Sequence, residues 1–125
     1  MTLSDAIENF DREHPNSCPF YLKLQWISQL DHKIYAEILM PRGYGEFKGY
    51  DLETSQNTSL AAPDAYGEIY SYYIKMNMDL RNGEIDRFNN TAVLFNRTYK
   101  ELFDFINRKT AVKEQARIKA GDLIV

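Results

Sequence analysis

The sequence is short of the residues that staple small proteins together. Of 125 residues only Cys18 is a cysteine. No intramolecular disulfide and no zinc site built on cysteine pairs can form, and a reducing compartment is expected. Histidine is almost as scarce. His14 sits in a His14-Pro15-Asn16 loop and His32 in the middle of a helical stretch, so neither an H-x-x-x-H pair nor a His/carboxylate ligand spacing is present. No metal or cofactor is expected. Long hydrophobic runs are missing, which excludes a membrane span. Met1-Thr2-Leu3-Ser4-Asp5 has no basic region ahead of an apolar stretch, so no leader is expected and the default location is the cytoplasm. Basic charge is not in excess: 15 Lys and Arg against 18 Asp and Glu leave a net charge of −3. A domain held to a nucleic-acid backbone would be strongly basic. Gly43-Tyr44-Gly45 lacks the third glycine and the preceding strand of a dinucleotide fingerprint, and there is no phosphate loop. Cys18 lies near a helix start, but no histidine is placed to form a dyad with it. With no catalytic constellation, the chain is not expected to be an enzyme.

Aromatic residues are abundant. They make up 14% of the chain, with nine Tyr and seven Phe against one Trp. Tyr joins a rigid apolar body to a polar tip, so the excess fits either a Tyr-rich core or surfaces buried against a partner yet partly wet. A chain of this length buries about two-thirds of its unfolded surface, enough for one domain with one core.

The apolar spacing predicts an all-α, four-helix domain. Leu3, Ala6, Ile7 and Phe10 mark a short first helix that must end before Pro15. Pro19 suits a first helical turn, and Phe20, Leu24, Ile27, Leu30, Ile34 and Ile38 carry a second helix of about 19 residues until Pro41 closes it. After Pro63-Asp64, Tyr66, Ile69, Tyr73, Met76 and Leu80 step by threes and fours as a coiled-coil-like seam. Asn82-Gly83 then makes a tight turn. Ile85, Phe88, Ala92, Phe95, Tyr99, Leu102 and Ile106 repeat the pattern over three heptads. Leu24, Ile27, Tyr73, Phe88, Phe95 and Leu102 are the expected core. Asp31 falls on the apolar side of the second helix. It is either an edge carboxylate reaching water or a buried acceptor for a Tyr or Arg of a neighbouring helix.

Residues 41–59, between the second and third helices, lose the helical period and collect Gly43, Gly45, Gly49 and the polar run Thr54–Ser59. A connection this long is functional or disordered in most compact domains. Tyr44, Phe47 and Tyr50, spaced by three among the glycines, read either as anchors on a projecting arm or as part of a β-hairpin or mobile loop packed on its own domain. For an arm, deleting residues 43–58 would leave a folded domain with impaired assembly. Tyr70 and Tyr72 lie off the seam of the third helix and are further candidates for subunit contact. Asn82, Asn89 and Asn96 recur every seven residues despite poor helix propensity, so Asn89 and Asn96 either line a contact with another helix, the 41–59 segment or a subunit, or are simply exposed to solvent. The domain spans residues 1–108, and residues 109–125 form a C-terminal tail. Residues 97–125 hold seven Lys or Arg and four acids, net +3, which leaves −6 on residues 1–96. Arg108, Lys109 and Lys113 are the candidate contact residues of this basic end.

Three strings resemble the head-completion, or head-tail connector, proteins of tailed bacteriophages: Trp26-Ile27-Ser28-Gln29-Leu30-Asp31-His32-Lys33-Ile34-Tyr35, Pro63-Asp64-Ala65-Tyr66-Gly67-Glu68-Ile69-Tyr70 and Asn82-Gly83-Glu84-Ile85-Asp86-Arg87-Phe88-Asn89-Asn90. The last, with Leu94-Phe95-Asn96, is the most specific, and the resemblance covers roughly residues 20–108. It implies a mainly helical adaptor with no catalytic residues, present as a homo-oligomeric ring of about a dozen copies under the portal. The portal protein and a neck or tail-completion protein would be its partners. The arm and the tail after Arg108 would reach neighbours, and the protein would pass from host cytoplasm to virion. The alternative is a small cytosolic helical protein-binding module or regulator.

Overall fold

Four α-helices make up the fold of the computed structural model, which describes residues 1–124, with side chains through residue 112. They are α1 (Leu3–Glu13), α2 (Phe20–Ile34), α3 (Glu68–Arg81) and α4 (Ile85–Ile124). Helix α1 begins with a capping box. The Thr2 hydroxyl accepts the Asp5 N–H at 3.1 Å and the Asp5 carboxylate accepts the Thr2 N–H at 3.0 Å. The two remaining free N–H groups of its first turn, on Leu3 and Ser4, donate to the carbonyls of Thr58 and Gln56, both at 2.9 Å. A helix normally leaves such donors to water; here a segment 50 residues away supplies their acceptors. The face of α1 that enters the core is Leu3, Ala6, Ile7 and Phe10, the spacing the sequence shows.

Helix α2 does not stop at Ile34. It widens into one π turn at Tyr35–Leu39, tightens into a 3₁₀ turn at Met40–Arg42 and ends on Gly43, whose φ of 82° a side chain would resist. The wide turn inserts one residue into the helical path. Ile38 and Leu39 on this turn are both buried. Pro41 has no N–H to continue the ladder.

Helices α3 and α4 form a tight hairpin through Asn82-Gly83-Glu84, with Gly83 at a φ of 73° and the Glu84 N–H on the Asp79 carbonyl at 2.8 Å. Helix α4 places Phe95, Leu102 and Ile106 in the core, where each stabilises by about 1.5–3 kcal/mol. Leu24 and Ile27 are buried, as expected. Tyr73 and Phe88 are only half-buried, and Leu80 and Ile85 are exposed. Ile69 of the expected seam is buried, but the other two buried apolar residues of α3 are Tyr70 and Ile74, off the seam. The seam reading assumed one neighbour, but α3 packs against α1 and α2 as well as α4, so its inward face is rotated part of the way from the seam. Tyr73 still meets Phe95, with ring centroids 5.5 Å apart.

Two expected boundaries move. Residues 43–63 do not project as an arm; they run back over α2 and the start of α1. Among the described residues their sole sheet-like pairing is an isolated bridge between Thr2 and Ser59. The boundary expected at residue 109 falls inside α4, which continues unbroken to Ile124.

One ion pair ties α1 to α2. Lys23 is almost fully buried, and its ammonium lies 2.7 Å from an Asp11 oxygen that also accepts the Asn16 amide at 2.9 Å. Burial pushes the Asp11 carboxyl up, but the Lys23 and Asn16 donors outweigh it and hold the group below its ordinary value. Asp11→Ala leaves the ammonium buried without its anion. Because Asp11 is itself partly exposed, the expected loss is about 1–2 kcal/mol rather than that of a fully buried pair. Lys23→Met keeps the packed stem, removes the charge and should cost about 0–1 kcal/mol. Urea unfolding of the two variants measures the difference.

Candidate functional site

Ser28, Asp31, His32 and Tyr35 stand at positions i, i+3, i+4 and i+7 along one face of α2 and its continuation, and residues 47–50 lie across that face. Asp31 is completely buried. Its Oδ1 accepts the Tyr70 hydroxyl at 2.7 Å, and its Oδ2 accepts the Tyr50 hydroxyl at 2.6 Å and the Ala61 N–H at 3.1 Å. The Tyr70 hydroxyl in turn accepts the Ala62 N–H at 2.9 Å. One carboxylate thus joins α2, α3 and two points of the crossing segment. The open question about Asp31 resolves to the buried acceptor, with tyrosines as its donors.

Burial pushes the Asp31 carboxyl above its ordinary value, and the bonds from Tyr50, Tyr70 and Ala61 pull against that. Burial and then the neighbouring carboxylate push both phenols up. Neither Tyr ionises at any physiological pH, so both remain donors. With both oxygens engaged and no exposed surface, Asp31 positions chain segments.

Beside this network Phe47 fills an aromatic seat. Its ring stacks on Tyr35 at 5.1 Å and meets the edges of His32 at 4.6 Å and Tyr50 at 4.8 Å. The Tyr50 N–H donates to the Ser28 hydroxyl at 3.0 Å. Gly49 has a φ of 92°, and a Cβ there would sit 3.3 Å from His32 Nε2. Close approach and backbone conformation both call for glycine at this point.

A second junction fixes α4 to the end of α2. Tyr99 donates to Glu37, whose other oxygen takes the Lys33 ammonium at 2.8 Å, while that ammonium lies 5.2 Å from the centre of the Tyr99 ring. The Lys33 and Tyr99 bonds hold the Glu37 carboxyl below its ordinary value; burial and Glu37 push the Tyr99 phenol up. Arg42 donates to Asn107 and, at 2.6 Å, to the Ile38 carbonyl, and its guanidinium lies 5.0 Å from the centre of the Phe103 ring.

The expected contact residues are divided by these arrangements. Tyr70 is withdrawn from the candidates for subunit contact, since it is fully buried on Asp31. Phe47 and Tyr50 are half-buried in the seat rather than presented outward. Tyr72 is half-buried, its hydroxyl on Glu68 at 3.0 Å. Asn89, Asn96, Arg108 and Lys109 are exposed along α4; Lys113 lies outside the residues whose side chains are described. Tyr44, 40% exposed, and Lys109 line one groove of about 310 Å³ over Leu39, Leu60 and Ile106. The structure therefore brings Phe47, Tyr50 and Tyr70 together around α2, and Tyr44 with Lys109, but leaves the asparagines apart from both.

Ser28, Tyr35 and Ala61 were missed by sequence reasoning. The face shared by Ser28, Asp31 and Tyr35 was a usable signal: two polar groups beside an apolar stripe need partners. Ala61 contributes backbone alone and carried no signal. Among the described residues no group of three His, Cys, Asp or Glu is placed to hold a metal ion, and no helix is long and apolar enough to cross a membrane. Comparison with known proteins brings no match to a family model, a curated protein or a solved structure.

Proposed function

We propose that the chain is a structural subunit of the tailed-phage head-tail junction, an adaptor that assembles into a ring under the portal and links capsid to tail. The observation that carries the reading is the length of α4. This helix continues 18 residues beyond Ile106, its last buried residue among those described. At 1.5 Å per residue the extension spans roughly 27 Å. Arg108, Lys109, Ala111 and Val112, with which its described side chains end, are exposed. A neighbouring surface would cover them. The acidic body and basic end also suit association in which one face of a copy meets a different face of the next. The resemblance of residues 20–108 to connector proteins points the same way, and supplies the portal and a neck or tail-completion protein as partners.

Native mass spectrometry of the purified chain, alone and with portal protein, tests the reading. A ring-sized species or a portal complex is the expected result. Truncation after residue 112 should abolish it while leaving the thermal melt of the domain within a few degrees. A chain that stays monomeric at high concentration and ignores the portal would instead favour a small protein-binding module, with the Tyr44 and Lys109 groove as its contact surface.

A further inference from the structure

The crossing segment is held in two different ways. From Gln56 to Ala62 it is fixed by backbone groups: the carbonyls of Gln56 and Thr58 accept from α1, the Leu60 N–H donates to the Met1 carbonyl at 2.9 Å, and the N–H groups of Ala61 and Ala62 reach Asp31 and Tyr70. Between Gly45 and Tyr50 the anchors are side chains: the Phe47 ring in its seat, the Tyr50 hydroxyl on Asp31, and the Ser28 hydroxyl under the Tyr50 N–H.

We propose that residues 43–52 are a strap that opens and closes over α2 as a unit, while residues 56–62 remain fixed. The asymmetry lies in what each opening leaves behind. When the strap lifts, Asp31 still holds the Tyr70 hydroxyl on one oxygen and the Ala61 N–H on the other, so no buried donor loses its acceptor. Lifting residues 56–62 would strip acceptors from the N–H groups of Leu3 and Ser4 and from those of Ala61 and Ala62, the penalty that buried polar groups avoid. The strap also has joints at both ends. Gly43 and Gly45 have φ values of 82° and 87°, with open space where a Cβ would stand. At the other end residues 51–54 fold on themselves: the Asp51 N–H donates to the Thr54 hydroxyl and the Glu53 N–H to the Asp51 carboxylate, both at 2.8 Å. This turn needs nothing from the rest of the domain. Opening uncovers Tyr35 and frees Phe47 and Tyr50, giving an aromatic surface that the closed form conceals. Regions with few backbone bonds to the core open below the global unfolding free energy. The inference does not depend on the adaptor reading.

Native-state hydrogen exchange of the full chain, followed by NMR at low denaturant concentrations, tests it. The Tyr50 amide should exchange about 100-fold faster, relative to its unstructured rate, than those of Leu3, Ser4, Leu60 and Ala62, with a shallow denaturant dependence. Tyr50→Phe should speed exchange of the residue-50 amide about tenfold and leave Leu60 and Ala62 unchanged. Exchange of the Tyr50 amide with the same free energy and denaturant slope as Leu3 and Ser4 overturns the proposal. So does a Tyr50→Phe variant in which Leu60 and Ala62 accelerate by the same factor as residue 50.

Discussion

Asp31→Ala should remove about 3 kcal/mol from the unfolding free energy, a large part of the roughly 5–15 kcal/mol that holds a domain together. The Tyr70 hydroxyl and the Ala61 N–H lose their acceptor in the interior, and each such orphan costs about 1–3 kcal/mol. Tyr50 loses a charge-assisted bond as well. Against this, the variant no longer buries a charge, which keeps the loss at the lower end of the sum. Tyr70→Phe should follow at about 2 kcal/mol, because it orphans the Ala62 N–H and one carboxylate oxygen together. Tyr50→Phe should cost about 1 kcal/mol, since the Ala61 N–H still serves the same oxygen. Urea titration followed by circular dichroism gives this order, and an Asp31→Ala variant as stable as the parent would show that the network carries no stability. Asp31→Asn adds a pH signature. The folded carboxyl binds its proton more tightly than the unfolded one, so parental stability falls as pH rises from about 4 through the folded value. The amide does not titrate. The penalty of Asp31→Asn should therefore be larger at pH 4 than at pH 7.

Deleting residues 43–58 should unfold the domain or cost about 4 kcal/mol or more, rather than leave a folded body that merely fails to assemble. The deletion takes away the Phe47 ring, the Tyr50 bond to Asp31 and the two carbonyls that complete the first turn of α1. A half-buried aromatic contributes roughly half of the 1.5–3 kcal/mol of full burial, and each hydrogen bond about 0.5–1.5 kcal/mol. A thermal melt of the deletion variant decides the matter. If the melting temperature is unchanged, residues 43–58 are an appendage after all.

The helices were legible because their signal is periodic. In α4, Phe95, Leu102 and Ile106 repeat the step that places side chains on one face, and the structure buries all three. In α3 the same reasoning picked a face that shares Ile69 with the buried one but is rotated from it, so that Tyr70 and Ile74 fell outside. A spacing pattern reports how many apolar residues line up, whereas the number of neighbours decides which line is covered. Tyr70 was read as a surface residue for that reason. Residues 43–62 were illegible for a different one. Their partners are single backbone N–H groups and one carboxylate 19 to 30 residues away in sequence, and a bond between a carbonyl and a distant helix start leaves no mark on residue type. Asp31 shows the limit most plainly. Its place on an apolar stripe announced a conflict, but the donors that settle it come from segments whose approach no local pattern encodes.

The π turn at Tyr35–Leu39 takes up one residue more than a regular turn holds, and so leaves Gly43 in nearly the phase that regular winding without that residue would give it. An insertion in a regular turn would instead carry everything after it about 100° around the axis. Deleting one residue at the wide turn should therefore restore regular winding and still launch the following segment over Asp31 and Tyr35. An insertion among residues 51–55 would merely enlarge a self-contained turn. A change of one residue should thus be tolerated at both ends of the strap.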